Sequence, residues 1–154
     1  MGITVAEGQA CGNNFIDAFM CGFAANNHSA TMGNVFAEHV TWDWSDGFKG
    51  EGPPSSVFEQ FAKTWGFMVS TALIRPTMIV DTTNSKVIMN GEMTINIDGG
   101  FHEAHLVQNP ISFVLTLDAN QKVVSWSAYW NNEDPKMLEA LRKVGAKLAA
   151  EQTA

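Results

Sequence analysis

Two cysteines and one tyrosine are all that the 154 residues supply of those types. Cys11 and Cys21 fit neither a Cys-x-x-Cys nor a zinc-ligand spacing, which removes the usual redox and zinc motifs. Cys21 reads as a small buried hydrophobe on a helix. Charge is also scarce, at 16% of residues, with a net charge of −7. The nine lysines and arginines are scattered rather than clustered, so neither nucleic acid nor an anionic membrane surface is an expected partner. No apolar run approaches the ~20 residues that span a bilayer. The start, "MGITVAEGQACGNN", lacks the charge and apolar stretch of a signal peptide, and Ala6 stands where a myristoylation signal needs Ser or Thr. The sequon at Asn27 is then incidental. There is no Gly-rich phosphate loop and no nucleophile elbow. These absences leave a reduced, cytoplasmic protein with no expected cofactor.

What the chain has in quantity is bulk apolar surface: ten Phe, eight Met and five Trp. Its length suits one domain. Phe15, Ile16, Phe19, Met20 and Phe23 form a helical stripe that Asn13 or Asn14 can cap, after a tail over residues 1–11. A short second helix follows, with Ser29 as cap and Met32, Val35 and Phe36 inward. "HVTWDWSDG" alternates as a strand with Val40, Trp42 and Trp44 on one face. "KGEGPPSS" reads as a loop, and Ser56 with Glu59 as a capping box for a third helix. From residue 70 the period becomes two. One segment is "STALIRPTMIVDT". The next carries Val87, Met89, Met93, Ile95 and Ile97 on one face, and ends at a "DGG" hairpin signal. A third carries Val107, Ile111, Phe113, Leu115 and Leu117, where Pro110 signals a bulge or a sheet edge. In "VSWSAYWNNEDP" Val124, Trp126, Ala128 and Trp130 share a face. Asp134-Pro135 then opens a final helix with Met137, Leu138, Leu141, Val144 and Leu148 inward. The expected architecture is an α+β domain over residues 12–133, helices packed on a curved antiparallel sheet, followed by a C-terminal helix and tail over 134–154.

This order, with "VTWDWSDG" early and "DANQKVVSWSAYWN" at the close, resembles the nuclear transport factor 2-like superfamily in its SnoaL-like and ketosteroid-isomerase-like branch. The resemblance covers residues 12 to about 132. It implies a cone: a bent sheet wrapped by three helices, with a pocket at one end and common pairing through the outer sheet face. Members include isomerases, cyclases, dehydratases and simple ligand binders. Counting back from "AYW", the isomerase oxyanion acid falls on Phe113, its base on Trp44 and its helix tyrosine near Met20, so none is retained. The pocket tryptophan of that branch matches Trp130. The resemblance therefore implies a pocket without steroid-type proton transfer.

On these faces Met20, Trp42, Trp44, Met89, Met93, Ile95, Ile111, Phe113, Trp126 and Trp130 point into the cone, either as a filled core or as a pocket for a small hydrophobic, carbonyl-bearing or polycyclic molecule. Polar candidates are few. His105 and Asn109 share the parity of Phe113, and His105 is the candidate acid–base. Asp46 at the rim and Asp43 between two tryptophans are candidate bases, against ordinary turn chemistry at Asp46-Gly47. His102, Glu103 and His105 lack a third ligand at metal spacing, so no metal is expected. Two functions stand: a cofactor-free isomerase, cyclase or dehydratase using a His/Asp pair, or a non-catalytic binding or dimerisation module. A homodimer would use the outer face, with Ile88, Glu92, Thr94, Leu106, Val114 and Thr116.

Overall fold

A computed structural model describes residues 2–65, 68–97 and 105–153, excluding the side chains at 64–65, 68–76, 105–106 and 148. The elements run α1 (Val5–Ala25), α2 (His28–Met32), β1 (Phe36–Trp44), β2 (Lys49–Gly52), α3 (Pro54–Trp65), β3 (Met68–Asp81), β4 (Lys86–Ile97), β5 (His105–Leu117), β6 (Val123–Trp130) and α4 (Pro135–Thr153). The strands form one curved, unclosed sheet in the order β2-β1-β6-β5-β4-β3. This is the expected α+β architecture of a bent sheet with N-terminal helices and a C-terminal helix.

Local chemistry moves several boundaries. Helix α1 starts at Val5, not after Asn13, so the expected tail to residue 11 is mostly helix. Its cap is Thr4, whose hydroxyl accepts from Glu7 N–H at 3.1 Å while the Glu7 carboxylate accepts from Thr4 N–H at 2.7 Å. That box lies before the apolar stripe, where sequence periodicity carries no signal. Asn26 ends the helix in the left-handed conformation, with φ 51°. The cap of α2 is Asn27 rather than Ser29, and Phe36 belongs to β1 rather than to the helix. Helix α3 opens at Pro54, a first-turn position where a missing N–H costs nothing, so Ser56 lies inside it and the Ser56/Glu59 box does not form. Lys49–Gly52, expected as loop, is strand β2 antiparallel to β1.

The sheet is not antiparallel throughout. Strand β1 runs parallel to β6, pairing Trp42 with Trp126 and Trp44 with Ala128. Pro110 marks neither an edge nor a bulge. Strand β5 is interior, its register against β4 is unbroken through Glu92↔Pro110, and β6 pairs with it only from Ile111 onward. The missing N–H thus lies beyond the end of β6. The bulge instead falls where Thr116 pairs Ser125 and Leu117 pairs Val123. It turns Val123, not Val124, into the core. The "DGG" hairpin signal lies outside the described residues.

Helix α1 covers the concave face through Phe15, Ile16, Phe19 and Phe23, with Phe15 fully buried. Cys21 lies on its opposite, exposed side, correcting the expectation of burial. The helix approaches closely because Gly12 faces the sheet: a Cβ there would come within 2.7 Å of Met78 Sδ and 3.1 Å of Val87 Cγ1. In α4 the buried residues are Met137, Ala140 and Val144, while Leu138 is exposed. The helix contacts β4 and β5 of its own chain. Its start is fixed by Asp134, whose carboxylate accepts from Met137 N–H at 2.9 Å.

The close approach is testable. Gly12→Val should lower stability by about 1–3 kcal/mol through overpacking, read from the urea midpoint; an unchanged midpoint would contradict the contact.

Candidate functional site

Two neighbouring rows of inward side chains cross the sheet. In one, Trp44 of β1 pairs Ala128 of β6, which pairs Phe113 of β5, which pairs Met89 of β4. In the next, Trp130 pairs Ile111, which pairs Gly91. Each row sets a small residue among large ones. Ala128 between an indole and a phenyl ring leaves a gap that neither ring fills.

The gap is a cavity of about 20 Å³, room for about one water molecule. Its aromatic wall is Phe19 of α1, Phe61 of α3, Trp44, Phe113, Trp126 and Trp130. Met93, Ile95, Ile111 and Ala128 complete it. The rings pack mostly edge to face: Trp44 and Trp126 lie 5.2 Å apart at 65°, and Phe113 and Trp126 5.6 Å apart at 89°. No charged side chain lines it among the described residues.

The sequence candidates divide on this geometry. Trp44, Met93, Ile95, Ile111, Phe113, Trp126 and Trp130 lie on the wall. Trp42 does not: its indole lies over Gly50, where a Cβ would come within 2.5 Å of Cζ2. Met89 is core, and Met20 is half-buried against the core cluster away from the cavity. Asp43 is exposed on the outer face. The Asp46 carboxylate accepts from Phe48 N–H at 3.1 Å in the turn after β1 and is not on the wall. His105 opens β5 opposite Ile97, with its side chain outside the described residues; His102 lies outside them entirely. The described residues therefore show no His/Asp pair at the cavity and hold no cluster of three or more metal-ligating side chains.

Asn109 has inward parity but a different role. It is fully buried. Its Oδ1 accepts from Asn131 N–H at 2.9 Å, and its Nδ2 donates to Asn131 C=O at 2.8 Å and to Met137 Sδ at 3.5 Å. The amide thus extends the ladder one residue beyond β6 and pins the start of α4, leaving little for a ligand. Ser45 does the same for the other edge of β6: its hydroxyl accepts from Trp130 N–H at 3.0 Å, and its carbonyl accepts from Asn132 Nδ2 at 2.6 Å. Ser45, Asn131 and Asn132 were not singled out from sequence, where they resemble ordinary turn residues.

His28 was also missed, because it follows a helix break and has no periodic partner. Its ring packs 4.5 Å from Phe23 and 4.6 Å from Phe61, behind the cavity wall. Its Nε2 donates to Phe19 C=O at 3.1 Å. Burial pushes the imidazole pKa below its ordinary value, against the raising effect of that carbonyl.

No protein-family model and no curated protein matches the sequence. Solved structures do match the fold. A candidate SnoaL-like polyketide cyclase from Shewanella putrefaciens superposes with a TM-score of 0.69 at 14% identity, over 88% of this chain and 86% of that one. An LEH-like epoxide hydrolase from M. tuberculosis gives 0.63 at 14%, over 95% and 97%. A nuclear transport factor 2-like protein of unknown function from Exiguobacterium gives 0.62 at 10%, over 79% and 98%. The chain has the nuclear transport factor 2-like fold.

Two predictions follow from these contacts. Asn109→Ala removes both hydrogen bonds from the buried Asn109 amide to the Asn131 peptide and should cost about 1–3 kcal/mol, read from urea unfolding, with α4 amides exchanging faster. For His28 the unfolded chain takes up a proton near pH ~6.5 while the folded chain resists it, so its contribution is complete above that pH and declines as pH falls below it. Comparing urea midpoints at pH 7 and pH 5 should show less loss for His28→Gln than for the wild type; parallel losses would refute the assignment.

Proposed function

We propose that the chain binds a small hydrophobic molecule inside the cone, held against Trp44, Phe113, Trp126 and Trp130. The observation that carries this reading is the gap at Ala128, a void surrounded by aromatic rings with no charged group on its described wall. An empty apolar void forfeits dispersion contacts on its lining, and an apolar guest restores them. A guest larger than water must part the wall. Met93 can re-pack because its side chain is unbranched, and Phe61 can shift with α3. The candidate cyclases and the epoxide hydrolase among structures of this fold support a small-molecule role.

Binding is favoured over catalysis because the described wall carries no group able to move a proton. A cofactor-free isomerase, cyclase or dehydratase would rest on His105 and would need an acid other than Asp43 or Asp46 in their observed places. The protein would work in a reducing compartment such as the cytoplasm, consistent with two free cysteines. It would pair with a second copy through the outer sheet face. There Ile79, Ile88 and Val114 sit in one register row, with Ile79 52% exposed and Tyr129 52% exposed nearby.

Binding is tested by tryptophan fluorescence with 1-anilinonaphthalene-8-sulfonate or toluene. The wild type should respond saturably, and Ala128→Leu, which fills the gap, should weaken binding at least about tenfold. Equal binding by both would place the ligand elsewhere. Sedimentation at micromolar concentration should show a dimer that Ile79→Lys dissociates; a wild-type monomer would refute the pairing.

A further inference from the structure

The ring of His28 sits directly behind two of the rings that bound the cavity. Its centroid lies 4.6 Å from Phe61 and 5.7 Å from Phe19, and both phenyl rings line the cavity. Phe23 closes another side at 4.5 Å. Room for the imidazole exists only because residue 22 is glycine: a Cβ there would come within 2.3 Å of His28 Cδ2. A glycine inside a helix costs about 0.5–1 kcal/mol relative to alanine, so α1 gives up stability at the position that admits this ring. A wholly apolar side chain would pack in the same niche without a titratable atom. The imidazole is instead held in one tautomer, with Nε2–H donating to the Phe19 carbonyl and Nδ1 left to accept a proton.

We infer that His28 makes ligand affinity depend on pH: a proton on its ring and a guest in the cavity oppose one another. This rests on the binding reading above and adds its regulation. His28 is a positioning residue, since it touches the wall and not the guest. A guest larger than water must press Phe19 and Phe61 outward, and the niche lies on their far side. The pressure closes the niche on the imidazole and strips water from it, which disfavours the charged form. By linkage the proton disfavours the guest to the same extent. Burial already holds the imidazole pKa below its ordinary value, with the Phe19 carbonyl acting in the opposite direction. The other titratable or charged side chains of the helices packed on α2 are Glu7, Cys11, Asp17 and Cys21 on α1 and Glu59 and Lys63 on α3, and none of them is a cause of that lowering. Affinity is therefore complete above the ordinary ~6.5, where the ring is neutral with or without a guest, and declines as pH falls through the pKa of the unoccupied fold.

The test uses the full chain and toluene, which carries no titratable group, so any pH dependence belongs to the protein. Tryptophan fluorescence should give an affinity at least about threefold weaker at pH 5 than at pH 7. His28→Gln, which keeps a donor for the Phe19 carbonyl and cannot titrate, should bind equally at both. His39→Gln, on an exposed strand position paired with Glu51, should keep the wild-type difference. If His28→Gln does not fold, the ring resonances of wild-type His28 decide: its pKa should be lower with toluene bound than without. Equal wild-type affinity at the two pH values, a difference that survives in His28→Gln, or a His28 pKa that toluene leaves unchanged overturns this inference and leaves the cavity reading standing. Absence of toluene binding at pH 7 overturns both.

Discussion

The parallel pairing of β1 with β6 is the constraint on which the site depends. It sets Trp42 against Trp126 and Trp44 against Ala128, and so fixes which large rings meet and which small residue lies between them. A slip of one residue would turn the whole inward set of β1 outward, because strand side chains alternate. The pairing is held at its end by side chains rather than by more ladder. Ser45 bonds the Trp130 peptide N–H, and Asn132 bonds the Ser45 carbonyl. Asn109 continues the other edge of β6 through Asn131. The polar groups in this region therefore serve geometry, and the apolar groups form the cavity wall.

The sequence was informative where one periodicity ran long. The faces of β4 and β5, and Trp42 and Trp44 on β1, follow from alternation, and Met137 and Val144 from helical spacing. The fold class was legible from the order of those elements together with the resemblance of its opening and closing motifs. It was less informative where a short polar device decides the outcome. The Thr4–Glu7 box precedes any apolar stripe, and the four residues of β2 are too few to show a period. The bulge at Val124 reverses parity without a Gly or Pro to announce it. Pro110 misled for the opposite reason: it looks like an interruption, yet it sits where the neighbouring strand has already ended.

The site was half legible. Parity brought seven candidate wall residues to the cavity, but parity says only which face a side chain takes. It does not say how far along the cone it lies, which is why Trp42 and Met89 are core. Phe61 and Phe19 reach the wall from helices, and their convergence with the strands depends on tertiary packing. Asn109 shows the sharpest limit. A buried amide on an inward face suggests a ligand contact until the position of Asn131 is known.

The clamp between Ser45 and Trp130 joins residues 85 positions apart. Such closure carries a large loop entropy and raises contact order, so it comes late in folding. Helix α1 and the β4–β5 ladder can form from nearer partners first. The cavity wall then waits for β6 to dock beside β1. With β6 undocked, Trp44 and Phe113 would be exposed together, so that docking step is what removes the stickiest surface of the chain from water.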